Sequence, residues 1–145
     1  CKRNAGFSLI EILLSVASIA IIAGISIPVF RSFQLRNDLD VSAVEIVQTL
    51  RRGQILAQAS DGDASWGVNV TSGSVTLFKG ASYGARDTAY DELFVVPGHI
   101  TPSGLGEIVF TRFTGLPQST GTIILTSSIN ETRNITINTK GTIGY

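Results

Sequence analysis

The glycine-rich stretch Gly80–Gly84, GASYG, contains the residue types that a serine hydrolase would use. A G-x-S-x-G turn exposes its serine, and Asp87 or Asp91 followed by His99 gives the chain order of an α/β-hydrolase triad. That turn must lead from a strand into a helix, however, and the segment after Ser82 is short and polar before strand-like sequence resumes. We therefore predict that the protein is not an enzyme, has no catalytic residues, and uses GASYG as a loop.

Two acidic stretches could be metal ligands. Asp61–Ser65, DGDAS, offers oxygens at alternate positions as a calcium loop does, but Trp66 stands where that loop needs glycine and Ser72 replaces its closing glutamate. Residues 86–92, RDTAYDE, form a second predicted acidic loop. One cysteine and one histidine cannot make a zinc site. We interpret both stretches as solvated turns, leave calcium open, and expect no cofactor.

Glu11 stands at the edge of a long apolar run. The nineteen residues Ile12–Phe30 carry no charge and would extend roughly 28 Å as a helix, close to one hydrocarbon thickness. Lys2 and Arg3 precede the run, which predicts a single span with the N-terminus in the cytoplasm. The run exceeds the apolar core of a signal peptide, and no small-x-small cleavage site follows Arg31. A carboxylate here needs a partner: Lys2, Arg3, or an amine made by cutting just upstream.

The residues Lys2–Glu11, KRNAGFSLIE, resemble the class III signal of type IV pilins and type II secretion pseudopilins. The later stretches LRRGQILAQAS, WGVNV, IVFTRFTGLP and RNITINTKGTIGY are similar to the fimbrial-T and H-type minor pseudopilin group. The resemblance implies that a prepilin peptidase cuts after Gly6 and methylates the new terminus, Phe7. It also implies an inner-membrane assembly platform and other pilin or pseudopilin subunits as partners. Because the sequence lacks methionine, we expect the leader to start upstream.

Cleavage of the Gly6–Phe7 bond would give the Glu11 carboxylate a partner. It would remove Lys2 and Arg3 and leave an amine four residues before the glutamate. In a bundle of subunits, the Glu11 carboxylate of one chain could meet the amine of its neighbour, and an unpaired charge would disfavour wrong registers. We interpret Glu11 as an assembly residue.

Gly24 and Pro28 predict a kink in this helix. Proline lacks an amide hydrogen and its ring would clash with the carbonyl of Gly24, four residues earlier, while glycine weakens a helix locally. Proline at this place is also common in the pilins that the chain resembles.

The remaining sequence predicts an α+β fold. Residues 31–60 form an amphipathic helix that continues past Gly53 until the SDGD stop at 60–63. Strand-like runs separated by turn residues follow: WGVNVT, SVTLFKG, ELFVV, GEIVFTRF, TIILTSS, RNITINT and TIGY. We expect one antiparallel β-sheet packed on the long N-terminal helix. The predicted segments are 1–6 (leader), 7–30 (transmembrane and assembly helix), 31–60 (amphipathic helix) and 61–145 (β head).

Two alternatives remain at this point. The resemblance includes minor pilins that take up DNA through basic residues near the C-terminus, which here would be Arg133 and Lys140. Residues 61–145 carry five Lys/Arg and seven Asp/Glu, a net charge of −2, which argues against nucleic acid. An unprocessed single-span anchored domain is the other alternative. We expect a bacterial inner-membrane protein, N-in and C-out, that later enters an extracytoplasmic filament; the type of filament stays open.

Overall fold

A computed structural model describes residues 6–145, apart from the side chains of residues 25–29. One helix, α1, spans Leu9–Gln58 and includes most of both predicted helical segments. Ser60, in the left-handed conformation at φ 52°, follows its end. The Ala59 and Ser60 amides donate to the carbonyls of Ile55 and Ala57 at 2.8 and 3.1 Å, which closes the last turn. The helix therefore ends where the SDGD stretch predicts.

The chain divides into two compact units, residues 1–34 and 35–145. In the part of the chain that the structure describes, no helical segment is both long and apolar enough to cross a membrane. The predicted span, Ile12–Phe30, includes residues 25–29, whose side chains lie outside that description. Membrane insertion therefore stays a prediction.

The second unit contains two antiparallel four-stranded sheets beside residues 35–58 of α1. The strands are β1 Trp66–Thr71, β2 Ser74–Lys79, β3 Asp87–Val95, β4 Ile100–Gly104, β5 Glu107–Phe110, β6 Gly121–Ser127, β7 Thr132–Ile137 and β8 Ile143–Gly144. Sheet A has the order β3-β2-β1-β5 and sheet B the order β4-β6-β7-β8. Short 3₁₀ turns occupy Asp61–Asp63 and Tyr83–Ala85.

The expected α+β fold, with a helix on an antiparallel head, is confirmed, but three details of the strands were wrong. The head has two sheets instead of one, because β4 pairs with β6 and β5 returns to pair with β1. The predicted acidic loop is part of β3, which begins at Asp87. Strand β4 was not predicted because it contains Pro102, which an edge strand tolerates since its outer amides need no partner.

One hydrophobic core joins the helix to both sheets. Leu39, Ile46 and Leu50 of α1 are fully buried together with Leu77 of sheet A and Ile123 of sheet B. Along α1 the buried positions recur every three to four residues, as expected for one face of a helix. Gly53 lets this face approach sheet A closely, because a Cβ there would lie 3.2 Å from the Leu77 side chain and 3.5 Å from Val68.

The C-terminal end of α1 also holds two loops of the head. The Gln54 side-chain amide donates to the carbonyls of Gly115 and Gly141 at 3.1 and 3.2 Å. The Phe113 amide donates at 3.0 Å to the Ala57 carbonyl, which also accepts the Ser60 amide. Polar contacts thus fix the loops before β6 and before β8 against the helix.

Candidate processing and assembly site

The bond between Gly6 and Phe7 lies in exposed, non-helical chain. Residues 6–8 precede α1 without regular structure, and the Phe7 side chain is 78% exposed. A Cβ added at Gly6 would meet nothing within 4 Å. Exposed segments without regular structure are readily cut by peptidases. The geometry therefore leaves this predicted processing site accessible.

Glu11 lies in the first turn of α1. The Glu11 and Ile12 amides donate to the Ser8 carbonyl at 3.1 and 3.2 Å, so this turn is formed. A carboxylate is favourable here because unsatisfied amides give a helix N-terminus partial positive charge. The Glu11 side chain is exposed and forms no ion pair with any residue in the described range 6–145. Lys2 and Arg3, its predicted intramolecular partners, lie outside the described residues.

The segment Leu9–Ile22 of α1 exposes apolar side chains in every direction. Nine of its large hydrophobic residues are more than half exposed, as is Phe7 just before the helix: Leu9, Ile10, Ile12, Leu13, Leu14, Val16, Ile19, Ile21 and Ile22. Fully covering such a side chain is worth about 1.5–3 kcal/mol, and a helix that is apolar all round requires an apolar environment. The hydroxyls of Ser15 and Ser18 donate to the carbonyls of Glu11 and Leu14 at 2.7 and 2.8 Å. These polar groups therefore need no water.

The predicted kink involves a segment that is only partly described. Gly24 is exposed, and a Cβ there would meet nothing within 4 Å. The Pro28 side chain is outside the described residues. The backbone of α1 is helical through both positions, and the kink stays a prediction.

The GASYG stretch does not assemble a catalytic triad. Strand β3 follows it after a single 3₁₀ turn, instead of the helix that a nucleophile turn requires. The Ser82 hydroxyl forms no hydrogen bond with any described residue. His99 lies elsewhere, with its Nε2 3.3 Å from Asp38 of α1. The serine, the histidine and the acids of the motif are therefore not brought together.

Instead, this stretch covers the face of sheet A that points away from α1. The Tyr83 ring packs edge-on against Phe78 with centroids 5.6 Å apart, and its amide donates to Glu107 Oε1 at 2.8 Å. The buried Phe78 ring lies over Gly67, where a Cβ would come within 2.4 Å of it. Gly80 begins the loop at φ 149°, a conformation that favours glycine. These contacts give GASYG a structural role.

Four of the seven acidic residues of the head, Asp63, Asp91, Glu92 and Glu131, are in ion pairs. Asp63 pairs with Arg112, and no cluster of three potential metal ligands occurs among the described residues. Arg86 donates to Asp91 Oδ2 at 2.8 Å. This hydrogen bond raises the pKa of Arg86 above its ordinary value, against the opposing effect of desolvation. The Arg86 side chain also lies over the Tyr83 ring, 3.8 Å from its centroid.

Arg133 and Lys140, the predicted DNA contacts, lie on different elements. Arg133 is on β7 and donates to Asp40 Oδ1 of α1 at 2.7 Å, so a carboxylate already neutralises its charge. Lys140 is exposed in the turn between β7 and β8, where its amide donates to the Asn138 side chain at 3.0 Å. The structure therefore does not bring the two cations together as a phosphate-binding pair.

Sequence patterns did not identify the ion pairs between α1 and the head. Among the described residues, three join the two: Arg36 to Glu131 at 2.8 Å, Asp40 to Arg133 at 2.7 Å, and Arg52 to Glu92 at 2.6 Å. In addition, His99 Nε2 lies 3.3 Å from Asp38 Oδ2. The partners are 40 or more residues apart in the sequence, and the helical charges taken alone look like an ordinary solvated face. No local signal could have paired them.

The fold has a counterpart among solved structures, although no protein-family model matches the sequence. The chain is similar to the minor pseudopilin EpsH from the type 2 secretion system of Vibrio cholerae. The TM-score is 0.57, the sequences are 15% identical, and the match covers 74% of this chain and 94% of the other. At this identity the likeness concerns the fold. The chain therefore has a pilin-like fold of the kind seen in a minor pseudopilin.

Proposed function

We propose that this chain is a structural subunit, a minor pilin or pseudopilin, of a type IV pilus or a type II secretion-like filament. It is inserted in the bacterial inner membrane with its N-terminus inside, cut by prepilin peptidase after Gly6, and N-methylated at Phe7. The assembly platform then moves it into the filament.

The observation that carries this proposal is the combination of a pilin-like fold with the order of features at its N-terminus. An exposed Gly6–Phe7 bond lies just before a helix whose first part, Leu9–Ile22, exposes apolar side chains on all sides and has one carboxylate, Glu11, in its first turn. An isolated domain would leave these apolar side chains exposed to water, whereas a bundle of such helices from several subunits would cover them. The likeness to a type 2 secretion pseudopilin supports a secretion filament as the first system to test.

Mass spectrometry of the native protein tests processing. We expect the mature chain to begin at Phe7 and to carry one added methyl group on its amine. Cells without the peptidase supply the control, and there the leader should remain. If residues before Phe7 persist in cells with active peptidase, the chain is an unprocessed anchored domain and the proposal fails.

A second experiment tests assembly through Glu11. We expect Glu11→Ala to be cleaved normally and to enter sheared filaments poorly, because the charge that compensates the neighbouring amine is missing. Ser15→Ala is the matched control, since Ser15 lies one turn further along the same face and bonds only its own helix. Normal incorporation of Glu11→Ala would exclude the pairing role.

A further inference from the structure

Strand β3 forms one edge of sheet A, and on its outer side no strand pairs with it among the described residues. It spans nine residues, whereas the other edge strands, β4, β5 and β8, have five, four and two. A long edge strand is a template for an added strand unless bulges, prolines or charges prevent pairing. The register irregularity of β3 falls between Asp87 and Glu92. The last four residues of the strand are therefore regular and open to a further strand.

The end of β3 directs backbone groups outward beside apolar side chains. The Val96 amide donates to the Gly73 carbonyl of the turn between β1 and β2 at 3.0 Å. Because bonding alternates along an antiparallel pair, Phe94 also bonds toward β2, and the amides and carbonyls of Leu93 and Val95 point to the open edge. The side chains of Leu93 and Val95 are 65% and 80% exposed. These two residues therefore offer both hydrogen-bonding groups and apolar surface to a neighbour.

A groove lies beside this edge, between β3 and α1. It has a volume of about 150 Å³ and is lined by Glu45, Gln48, Thr49, Arg52 and Phe94. Because side chains alternate along a strand, Phe94 points to the opposite face of β3 from Leu93 and Val95. A strand added beside β3 would alternate in the same way, with one side chain entering the groove and its two neighbours lying on the outer face of sheet A.

The charge of the groove indicates which side chain should enter it. Glu45 is half-buried and has no ion pair with any residue in the described part of the chain. Arg52 also lines the groove, but it is bonded to Glu92 of β3 at 2.6 Å, which compensates its charge. These three groups together carry one negative charge, and a nearby cation stabilises a half-buried carboxylate. The complement of the groove is therefore a lysine or arginine side chain.

The sheet edges of a second copy of this chain cannot supply that cation. The edge strands have the sequences DTAYDELFV (β3), ITPSG (β4), EIVF (β5) and IG (β8), and none of them contains lysine or arginine. Pairing two copies of β3 would also bring only Glu92 or Phe94 to the groove, which leaves Glu45 without a cation. The groove therefore favours a segment of a different protein.

We propose that the Leu93–Val95 edge of β3 binds an extended segment of another protein by antiparallel β-strand addition. The segment has one lysine or arginine, whose side chain reaches Glu45, and an apolar residue on each side of it. The two apolar residues cover Leu93 and Val95 and exchange backbone hydrogen bonds with them. The inference concerns a surface of the head alone, so it does not depend on the proposed processing or filament assembly.

A capped peptide, Thr-Ser-Val-Lys-Val-Ser-Thr, tests the backbone part of the proposal. The peptide is fluorescently labelled and titrated with the detergent-solubilised full chain, and we expect a saturable rise in anisotropy. In the added strand both valine amides point to β3 and the lysine amide points away. N-methylation of both valines should therefore weaken binding at least about tenfold, through the loss of two hydrogen bonds. N-methylation of the lysine is the matched control and should weaken binding less than about threefold.

Charge exchange tests the groove. Glu45→Lys should weaken binding of the lysine peptide at least about fivefold, since it places like charges together. A peptide with glutamate in place of lysine should bind this variant more tightly than it binds the parent. Asp61→Lys is the matched control, because it makes the same charge change at an exposed acid in the turn after α1. It should change the affinity for either peptide by less than about twofold.

The outcomes decide between the possible occupants of this edge. Absence of saturable binding, or equal binding of the peptide methylated at both valines, would overturn the proposal. Self-association of the full chain that Val95→Lys abolishes and the peptide does not inhibit would assign the edge to a second copy, and would also overturn it. The peptide variants use the parental chain, so they remain decisive even where Glu45→Lys is unstable. A chain that is processed and forms filaments but fails these tests refutes this inference alone.

Discussion

The absence of a side chain at Gly67 of β1 lets the Phe78 ring pack over this position on the outer face of sheet A. A single methyl group at Gly67 should disrupt that packing. In Gly67→Ala the new Cβ would lie 2.4 Å from the tip of the Phe78 ring and 2.9 Å from two further ring carbons. The ring cannot easily turn away, because Phe78 is fully buried and Tyr83 packs against it. The backbone conformation of Gly67 does not itself require glycine, so the predicted cost comes from the clash.

Overpacking of this kind costs about 1–3 kcal/mol in the free energy of unfolding. For a unit the size of residues 35–145, that loss lowers Tm by roughly 4–15 °C. Unfolding of the detergent-solubilised full chain can be followed by the fluorescence of Trp66. It is the sole tryptophan, it is 4% exposed, and it lies in the same strand as Gly67.

A matched control and a double-mutant cycle isolate the clash. Gly84→Ala should stay within about 1 kcal/mol of the parent, because a Cβ there meets nothing within 4 Å. In a Phe78→Leu background, which removes the ring, Gly67→Ala should cost at least about 0.5 kcal/mol less than in the parent. An equal cost in both backgrounds, or no measurable cost in the parent, would refute the reasoning.

Four further outcomes follow from the contacts of the head. Leu50→Ala removes a fully buried side chain and should lower the free energy of unfolding by about 2–5 kcal/mol, measured by urea denaturation. Gln54→Ala leaves two loop carbonyls without their amide donor and should cost about 1–3 kcal/mol in the same assay. Asp40→Ala breaks a solvent-exposed pair and should cost under about 1 kcal/mol, with the difference shrinking in high salt. The chain should not be retained on duplex DNA at physiological salt; retention that Arg133→Ala and Lys140→Ala weaken would contradict this.

Local sequence patterns were sufficient to predict the helix and most of the strands. The extent of α1 follows from the spacing of its apolar residues and from the stop at Ser60–Asp63, and the two-residue turn between β1 and β2 follows from Ser72-Gly73 between strand-like runs. The apolar surface and the carboxylate of the candidate site were also predictable, because they depend on residue types within the first thirty positions.

The arrangement of the strands depends on distant partners, which local patterns do not specify. Strand β3 starts early because Asp87 pairs with Lys79 of β2 and Tyr90 packs on Trp66. The head divides into two sheets because β4 pairs with β6. The residues of β4, Ile100–Gly104, contain no local pattern that predicts this partner. The GASYG stretch was predicted as a loop, but its cover over Phe78 depends on the absence of a side chain at Gly67, thirteen residues earlier.

The hydrogen bonds at the start of α1 indicate how the proposed cleavage after Gly6 would affect the fold. The Ser8 carbonyl, which accepts the Glu11 and Ile12 amides, lies after the Gly6–Phe7 bond, so hydrolysis of that bond breaks none of the described hydrogen bonds of the helix. Residues 35–145, which form a compact unit of their own, should then unfold with the same free energy in cut and uncut chains. If the chain is processed as proposed, cleavage changes the charge and the length of its N-terminus, and no described hydrogen bond has to break. Cleavage would therefore change the N-terminus that neighbouring subunits meet, without changing how residues 35–145 fold.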